Sequence, residues 1–288
     1  MKDLLLRIWR RRSAAVGLVV IAIVVVGAVG APLLAPYDPN RQSLRERLQP
    51  PSETHLLGTD ALGRDQLSRL LYGARISLMV GVVATAIAGV FGGLLGLVAG
   101  YYGGFLDNLL MRFIDILMAF PMLLLAIVFL AMLGERFGGL FNIMVAVGIA
   151  SMPHFARLIR GQVLAIREVD YVEAARALGS SAARLMGRHI LLNSLSPLIV
   201  FATLRVATVI LTEAGLSFLG LGVQAPTATW GGMIADGTRY LQRAPWMSLV
   251  PGIAIVVTVL AFNLFGDGLR DALDPRLKGL GDVPTARR

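Results

Sequence analysis

Six predominantly apolar runs alternate with polar segments along this 288-residue chain, at approximately 14 to 35, 77 to 100, 113 to 133, 139 to 163, 195 to 217 and 247 to 266. A helix rises 1.5 Å per residue, so crossing a hydrocarbon core of about 30 Å takes roughly 20 apolar residues. Each run meets that length. The pattern predicts an all-α polytopic membrane protein with six transmembrane helices. The first run follows Lys2, Arg7, Arg10, Arg11 and Arg12, as a secretory signal peptide would, and Val29-Gly30-Ala31 offers a cleavage context. The uncharged stretch is nevertheless longer than the usual h-region of about 7 to 15 residues, which favours a retained anchor.

Composition agrees with the pattern. The chain is 56% hydrophobic and 16% charged, with a mean hydropathy of +0.71, against roughly 25% charged residues in soluble domains. The net charge of +9 rests on arginine, the only lysines being Lys2 and Lys278. The intervening runs are too apolar for a nucleic-acid module, and membrane topology accounts for the excess better. The N-tail basic residues, Arg112, the six arginines between 157 and 188, and Arg270, Arg276, Lys278, Arg287 and Arg288 fall on one side when six spans alternate. On the other side Arg41, Arg45, Arg47, Arg64, Arg69, Arg75, Arg136, Arg239 and Arg243 are diluted by Asp38, Glu46, Glu53, Asp60 and Asp65. The positive-inside rule places both termini in the cytoplasm.

Cysteine is absent, which removes disulfides, thiolate metal sites and a cysteine nucleophile. His55, His154 and His189 are isolated, with no second histidine at metal-binding spacing. No catalytic residue and no metal ligand is expected.

The external segment 36 to 74 is rich in Pro, Asp and Arg and suits a small structured loop or short interfacial helices; it is too short for an enzyme domain. Residues 218 to 246 carry many Gly and Pro and should be turn-rich, with Trp230 and Trp246 in the interfacial belt. In the second span Gly89, Gly92, Gly93, Gly96 and Gly100 give overlapping small-xxx-small spacings, which fit packing within the monomer better than a sliding contact. Pro121 and Pro153 should kink the third and fourth spans. Asp107, Arg112 and Asp115 suit local salt bridging or capping.

A charge at the bilayer centre costs about 2.5 to 3.5 kcal/mol on insertion scales. Arg205 and Glu213, two turns apart on the fifth span, therefore stand out. Two readings are open: they line a polar path or bind a partner subunit, or Arg205 snorkels or pairs internally while Glu213 sits at the outer interface.

The polar insertion at 165 to 191 holds its own local signals. Asp170 is placed to N-cap a helix over about 171 to 178, with Glu173 returning the bond as a capping box. Gly179 then supplies a left-handed stop, and Ser180 or Ser181 caps a second helix running toward His189. Ala174 and Ala175 leave a shallow surface that a groove on another protein can approach, flanked by Tyr171 and Leu178 as apolar anchors. On the residues alone, a docking element and a merely well-capped loop are equally good descriptions.

The chain resembles the C-type permease subunits of ABC importers for dipeptides and oligopeptides. The resemblance is carried by His55-Leu56-Leu57-Gly58-Thr59-Asp60 with Gly63-Arg64-Asp65, Ala99-Gly100-Tyr101-Tyr102-Gly103-Gly104, Ala119-Phe120-Pro121, the loop at 167 to 191 around Glu173-Ala174-Ala175, and the run Glu213 to Gly222. Phe262-Asn263-Leu264 through Asp274-Pro275-Arg276 completes the set. Leu192 stands where the family usually has proline, which leaves the second loop helix less sharply ended; Ala225 and Ala228 likewise replace prolines.

The resemblance implies a type I ABC importer permease fold in a bacterial or archaeal cytoplasmic membrane. It implies a tail and first anchor over 1 to 35, an extracytoplasmic segment over 36 to 74, a transmembrane type-1 domain of five spans over 75 to 267, and a cytoplasmic tail over 268 to 288. The loop residues Asp170, Tyr171, Glu173, Ala174, Ala175, Leu178 and Gly179 would be its ATPase-coupling element. The implied partners are a B-type permease forming the heterodimer, two cytosolic ABC ATPases that bind ATP and magnesium, an extracytoplasmic peptide-binding protein and membrane lipid, with no nucleic acid. No cofactor is expected on this chain, and the P-loop pattern is absent. Nickel, glutathione or another small cargo is the alternative within the class. A channel or secondary transporter would share the spans without needing the long loop, and an intramembrane enzyme would need a nucleophile and base that no signature supplies.

Overall fold

The computed structural model describes residues 11–134 and 138–273, and among these every regular element except one isolated bridge is helical. Lys2, Arg7 and Arg10 of the N-tail, Arg136, and the last motif and tail from Asp274 to Arg288 lie outside the described residues.

The apolar anchor forms α1 (Arg12–Val29), and Gly30 and Pro32 interrupt it before the single turn α2 (Ala31–Leu34). The second span is α3 (Gln66–Tyr102), which begins well before the apolar run because Asp65 caps it, its carboxylate accepting from the Ser68 amide at 2.8 Å. Thirty-seven residues reach about 55 Å, so α3 overshoots the roughly 30 Å apolar layer. Gly103, at φ 65°, ends it.

The third span departs from the expected single kinked helix. It is split into α4 (Gly104–Met118) and α5 (Met122–Leu133), bent by 101° at a break occupied by Pro121. Proline removes an amide donor and clashes with the preceding turn, and here the chain turns a corner rather than bending. By contrast α6 (Gly139–Ile166) runs through Pro153 without a break.

After the loop helix α7 (Asp170–Ala177), the chain rises through α8 (Ala182–Arg184) and a π-helical turn, Leu185–Ile190, straight into α9 (Leu191–Phe218). The second loop helix and the fifth span are continuous through Leu192, and Pro197 lies within the span without ending it. α10 (Trp230–Thr238) and α11 (Trp246–Leu273) complete the fold.

The most extensive contact joins α3 to α6. The glycines of α3 face α6 inside this chain, as the packing reading expected: a β-carbon on Gly92 would lie 2.4 Å from the Met152 carbonyl oxygen, and one on Gly96 2.2 Å from that of Ala156. Lipid tails are as apolar as leucine, so such close van der Waals approach, not hydrophobic exclusion, holds membrane helices together. Val80, Ala84, Val147, Val209 and Leu216 extend the same core toward α9. α1 packs on α11, and α9 packs against α3, α6 and α11. Exposed Ile23, Val26, Phe105 and Ile253 present the apolar surface a bilayer covers.

Replacing Gly96 by alanine should therefore lower the thermal stability of the detergent-solubilised protein, by about 1 to 3 kcal/mol for an overpacked contact. Gly93→Ala, whose β-carbon would meet Ile159 at an ordinary 3.9 Å, should be neutral or stabilising by up to about 1 kcal/mol from helix propensity. Equal melting shifts for the two variants would contradict the α3–α6 register.

Candidate functional site

Two regions concentrate the polar side chains singled out above: the loop between α6 and α9, and the polar positions buried within the bundle. The loop comes first. α7 starts at Asp170, and its N-cap Val169 offers no side-chain bond, so the expected capping box of Asp170 and Glu173 is not formed. Both carboxylates instead occupy the first turn, where they face the free amides and the positive end of the helix dipole. Gly179 does take the left-handed conformation, at φ 80°, and Ser181 does cap the next helix, accepting from the Arg184 amide at 3.4 Å.

The two faces of α7 differ. Val172 is fully buried against the bundle. Tyr171, Ala174, Ala175 and Leu178 follow the i, i+3, i+4, i+7 pattern of a single face, and Leu178 is 87% exposed. The Tyr171 hydroxyl accepts from Asn193 Nδ2 at 3.0 Å, which fastens α7 to the foot of α9. Arg167 donates to the Gly100 carbonyl at 2.9 Å, fastening the other side to the end of α3.

Salt bridging by Asp107 and Asp115 is present, but its partners are on α6 and not nearby in sequence. Arg160 grips Asp107 with two bonds of 2.6 and 2.7 Å, and Arg157 meets Asp115 at 2.7 Å. These pairs pin α4 to α6 just before the loop.

Within the bundle Arg205 and Glu213 are not brought together. Eight residues make 2.2 turns, which turns the two side chains roughly 80° apart. Glu213 is fully buried, so the outer-interface position is excluded; Ser77 donates to it at 3.0 Å and Ser217 at 2.7 Å. Arg205 points instead toward α5 and α6, 3.5 Å from Met122 Sδ and 3.4 Å from His154 Nδ1, with its guanidinium 5.8 Å from the Phe201 ring centre. The proximity of His154 was not legible in the sequence, because the two residues lie on different helices 51 positions apart.

At the far end of α3 the His55-to-Asp65 motif folds into a clasp. Asp60 accepts from the Leu62 and Arg64 amides and from the Arg64 side chain at 2.6 Å, while His55 Nδ1 meets Asp65 at 2.9 Å. Trp246 donates to the Thr59 carbonyl at 3.1 Å. Trp230 does not join an interfacial belt: it is 2% exposed and donates to the Leu70 carbonyl at 3.0 Å, deep among α3, α9 and α11. Beside the clasp opens a cavity of about 690 Å³, its lining including Asp60, Arg64, Arg69, Ser217, Asp236 and Arg239. Among the described residues no group of three acidic or histidine side chains is placed to hold a metal ion.

The fold and its buried polar positions define a polytopic helical membrane protein. Residues 92–279 match the family described as binding-protein-dependent transport system inner membrane component, and residues 1–51 match the N-terminal TM domain of oligopeptide transport permease C. The dipeptide transport system permease protein of Alkalihalophilus pseudofirmus is 47% identical over 269 residues, covering 93% of this chain and 88% of that protein. The glutathione transport system permease protein of Pectobacterium atrosepticum is 45% identical over 276 residues, covering 94% and 90%. A structure of the MetNI methionine ABC transporter superposes with a TM-score of 0.59 at 19% identity, over 72% of this chain and 97% of that one, a likeness of fold. The chain belongs to the family of binding-protein-dependent transport system inner membrane components. It is a multi-pass permease subunit of an ABC importer and not an enzyme.

Glu213→Leu should destabilise the protein by about 1 to 3 kcal/mol, chiefly because the buried Ser77 hydroxyl loses its acceptor, while Ser217 keeps its contact with Thr229 at 3.3 Å. Glu213→Gln, whose amide can still accept from one serine and donate to the other, should cost clearly less. Thermal melting of the purified variants reads the difference, and equal losses would show that the two serine bonds contribute nothing.

Proposed function

We propose that this permease forms one half of a translocation path for peptides, in a heterodimer with a B-type permease. Two cytosolic ATPases binding ATP and magnesium would drive it, and an extracytoplasmic peptide-binding protein would deliver the cargo. The observation that carries the coupling role is the exposed apolar face of α7. Tyr171, Ala174 and Leu178 stand outward, with Ala175 half-buried beside them, on a helix that Val172 and the Tyr171 hydroxyl fix to the bundle. A short, firmly mounted helix with its apolar side unpartnered fits an ATPase groove, with Asp170, Glu173 and Gly179 shaping its two ends. Peptides are preferred over nickel or other small cargo because the dipeptide permease is among the most similar relatives; glutathione, the cargo named for another relative, is itself a peptide.

Ala174→Arg tests the groove. The side chain is exposed, so folding should survive, while steric overfilling should lower uptake and cargo-stimulated ATP hydrolysis at least tenfold, equivalent to about 1.4 kcal/mol. Normal transport by a fully expressed variant would remove α7 as the docking element.

We further propose that both termini and the loop 165 to 191 face the cytoplasm, the segment 36 to 74 lies outside, and residues 75 to 267 form the transport core. Arg157, Arg160, Arg167, Arg176, Arg184 and Arg188 gather at the loop end. At the clasp end Arg64 and Arg69 are held against Asp60, which offsets their charge. The chain has no cysteine, so Ser52→Cys and Ala183→Cys, both at exposed positions, report sidedness directly. An impermeant thiol reagent on intact cells should label only the first, and both after permeabilisation. Labelling of Ala183→Cys in intact cells would reverse the orientation.

A further inference from the structure

Arg205 lies near the middle of α9, about 21 Å along the helix from Leu191 and about 20 Å from Phe218 at 1.5 Å per residue. That is the depth of the bilayer midplane, where a retained cation faces protein or a cavity and finds an anion. Within this chain it has none: among the described residues no carboxylate comes within ion-pair distance of Arg205. The acid on the same helix, Glu213, is occupied by Ser77 and Ser217.

None of the contacts Arg205 does make is with an anion. The guanidinium of Arg205 lies beside the ring of His154, 3.4 Å from Nδ1. The sulfur of Met122 and the face of Phe201 complete the surround. Arg205 Nε is buried without a hydrogen-bond partner, while the residue as a whole stays partly exposed. Thr208 and Thr212 follow at i+3 and i+7 on the same side of α9. The Thr212 hydroxyl, which donates to the Thr208 carbonyl at 2.9 Å, lies 3.8 Å from the Met122 sulfur that Arg205 also touches, which continues the polar stripe.

We infer that Arg205, oriented by His154, receives the C-terminal carboxylate of the peptide as it crosses the midplane. This rests on the peptide-cargo reading above. The terminal carboxylate is the anion that unmodified peptides share whatever their side chains, and a planar guanidinium matches it with two parallel bonds. A site that reads this group alone accepts varied sequences.

The test uses the complete complex, with permease pair, ATPases and binding protein, in proteoliposomes. Uptake of alanyl-phenylalanine is compared with that of its C-terminal amide, each at a concentration saturating the binding protein. One binding protein serves all variants, so the variant to wild-type ratio for each cargo cancels its preference. Arg205→Gln should lower uptake of the free acid about tenfold or more and of the amide less than about twofold. Arg205→Lys, which keeps the charge and loses the fork, should lower acid uptake about threefold and leave the amide unchanged. Equal ratios for acid and amide in both variants would overturn the inference. Loss of co-purification of the Arg205→Gln subunit with its partner permease would overturn it too, since the cation would then pair with a carboxylate across the heterodimer. Failure of the wild-type complex to take up either cargo would instead bring down the peptide reading, and this inference with it.

Discussion

The rest of the structure depends on the backbone contact between α3 and α6. At Gly92 and Gly96 the two helices meet so closely that a methyl group would overlap the facing carbonyl. In a bilayer no hydrophobic driving force gathers apolar helices, so their order must come from packing that only small residues allow. Once α3 and α6 are joined, α9 has a groove to occupy, and α4 is held alongside by Asp107 and Asp115 on the arginines of α6. The loop then hangs from the end of α6, tied by Arg167 to the last turn of α3.

Charge is arranged around the same frame. At both ends of the bundle arginines meet carboxylates: Arg160 with Asp107 near the loop, and Arg64 with Asp60 in the clasp. Inside it, the carboxylate of Glu213 is satisfied by hydroxyls. Arg205 alone of these has no carboxylate or hydroxyl partner among the described residues. A protein interior tolerates such a cation where something outside the chain completes it, because an uncompensated buried charge is costly.

How far the sequence reached follows from the range of each signal. Apolar runs gave the spans, since a bilayer imposes one length on every crossing. Glycine spacing gave the packing face, and Gly179 gave the left-handed stop, because both act within a few residues. The break at Pro121 was visible as a proline, but a kink and a corner have the same sequence signal, and only the neighbouring helices decide between them. The capping box failed because the chain turns one residue earlier at Val169, leaving Asp170 inside the helix. Trp230 was misplaced because an amphipathic ring suits an interfacial belt and a buried carbonyl equally well. The Arg205–His154 and Arg160–Asp107 contacts join residues on different helices, and no periodicity in one strand of text reports a tertiary distance.

The helices that bracket the loop also carry the polar cluster. α6 leads into α7 and bears His154 about 18 Å from its end; the fifth span leaves the loop without a break and bears Arg205 about 21 Å above Leu191. The π-turn and helix from Ala182 to Phe218 form one continuous helical span, with Pro197 inside it. Packed helices slide or rotate as bodies and do not deform smoothly. A displacement applied to α7, which Val172 and Tyr171 lock to the foot of α9, therefore reaches the Arg205–His154 gap as a rigid movement of one helix against the other. If α7 is the coupling element and Arg205 faces the path, as proposed above, the distance between those two side chains is where motion at the loop would become a change in the polarity of the path.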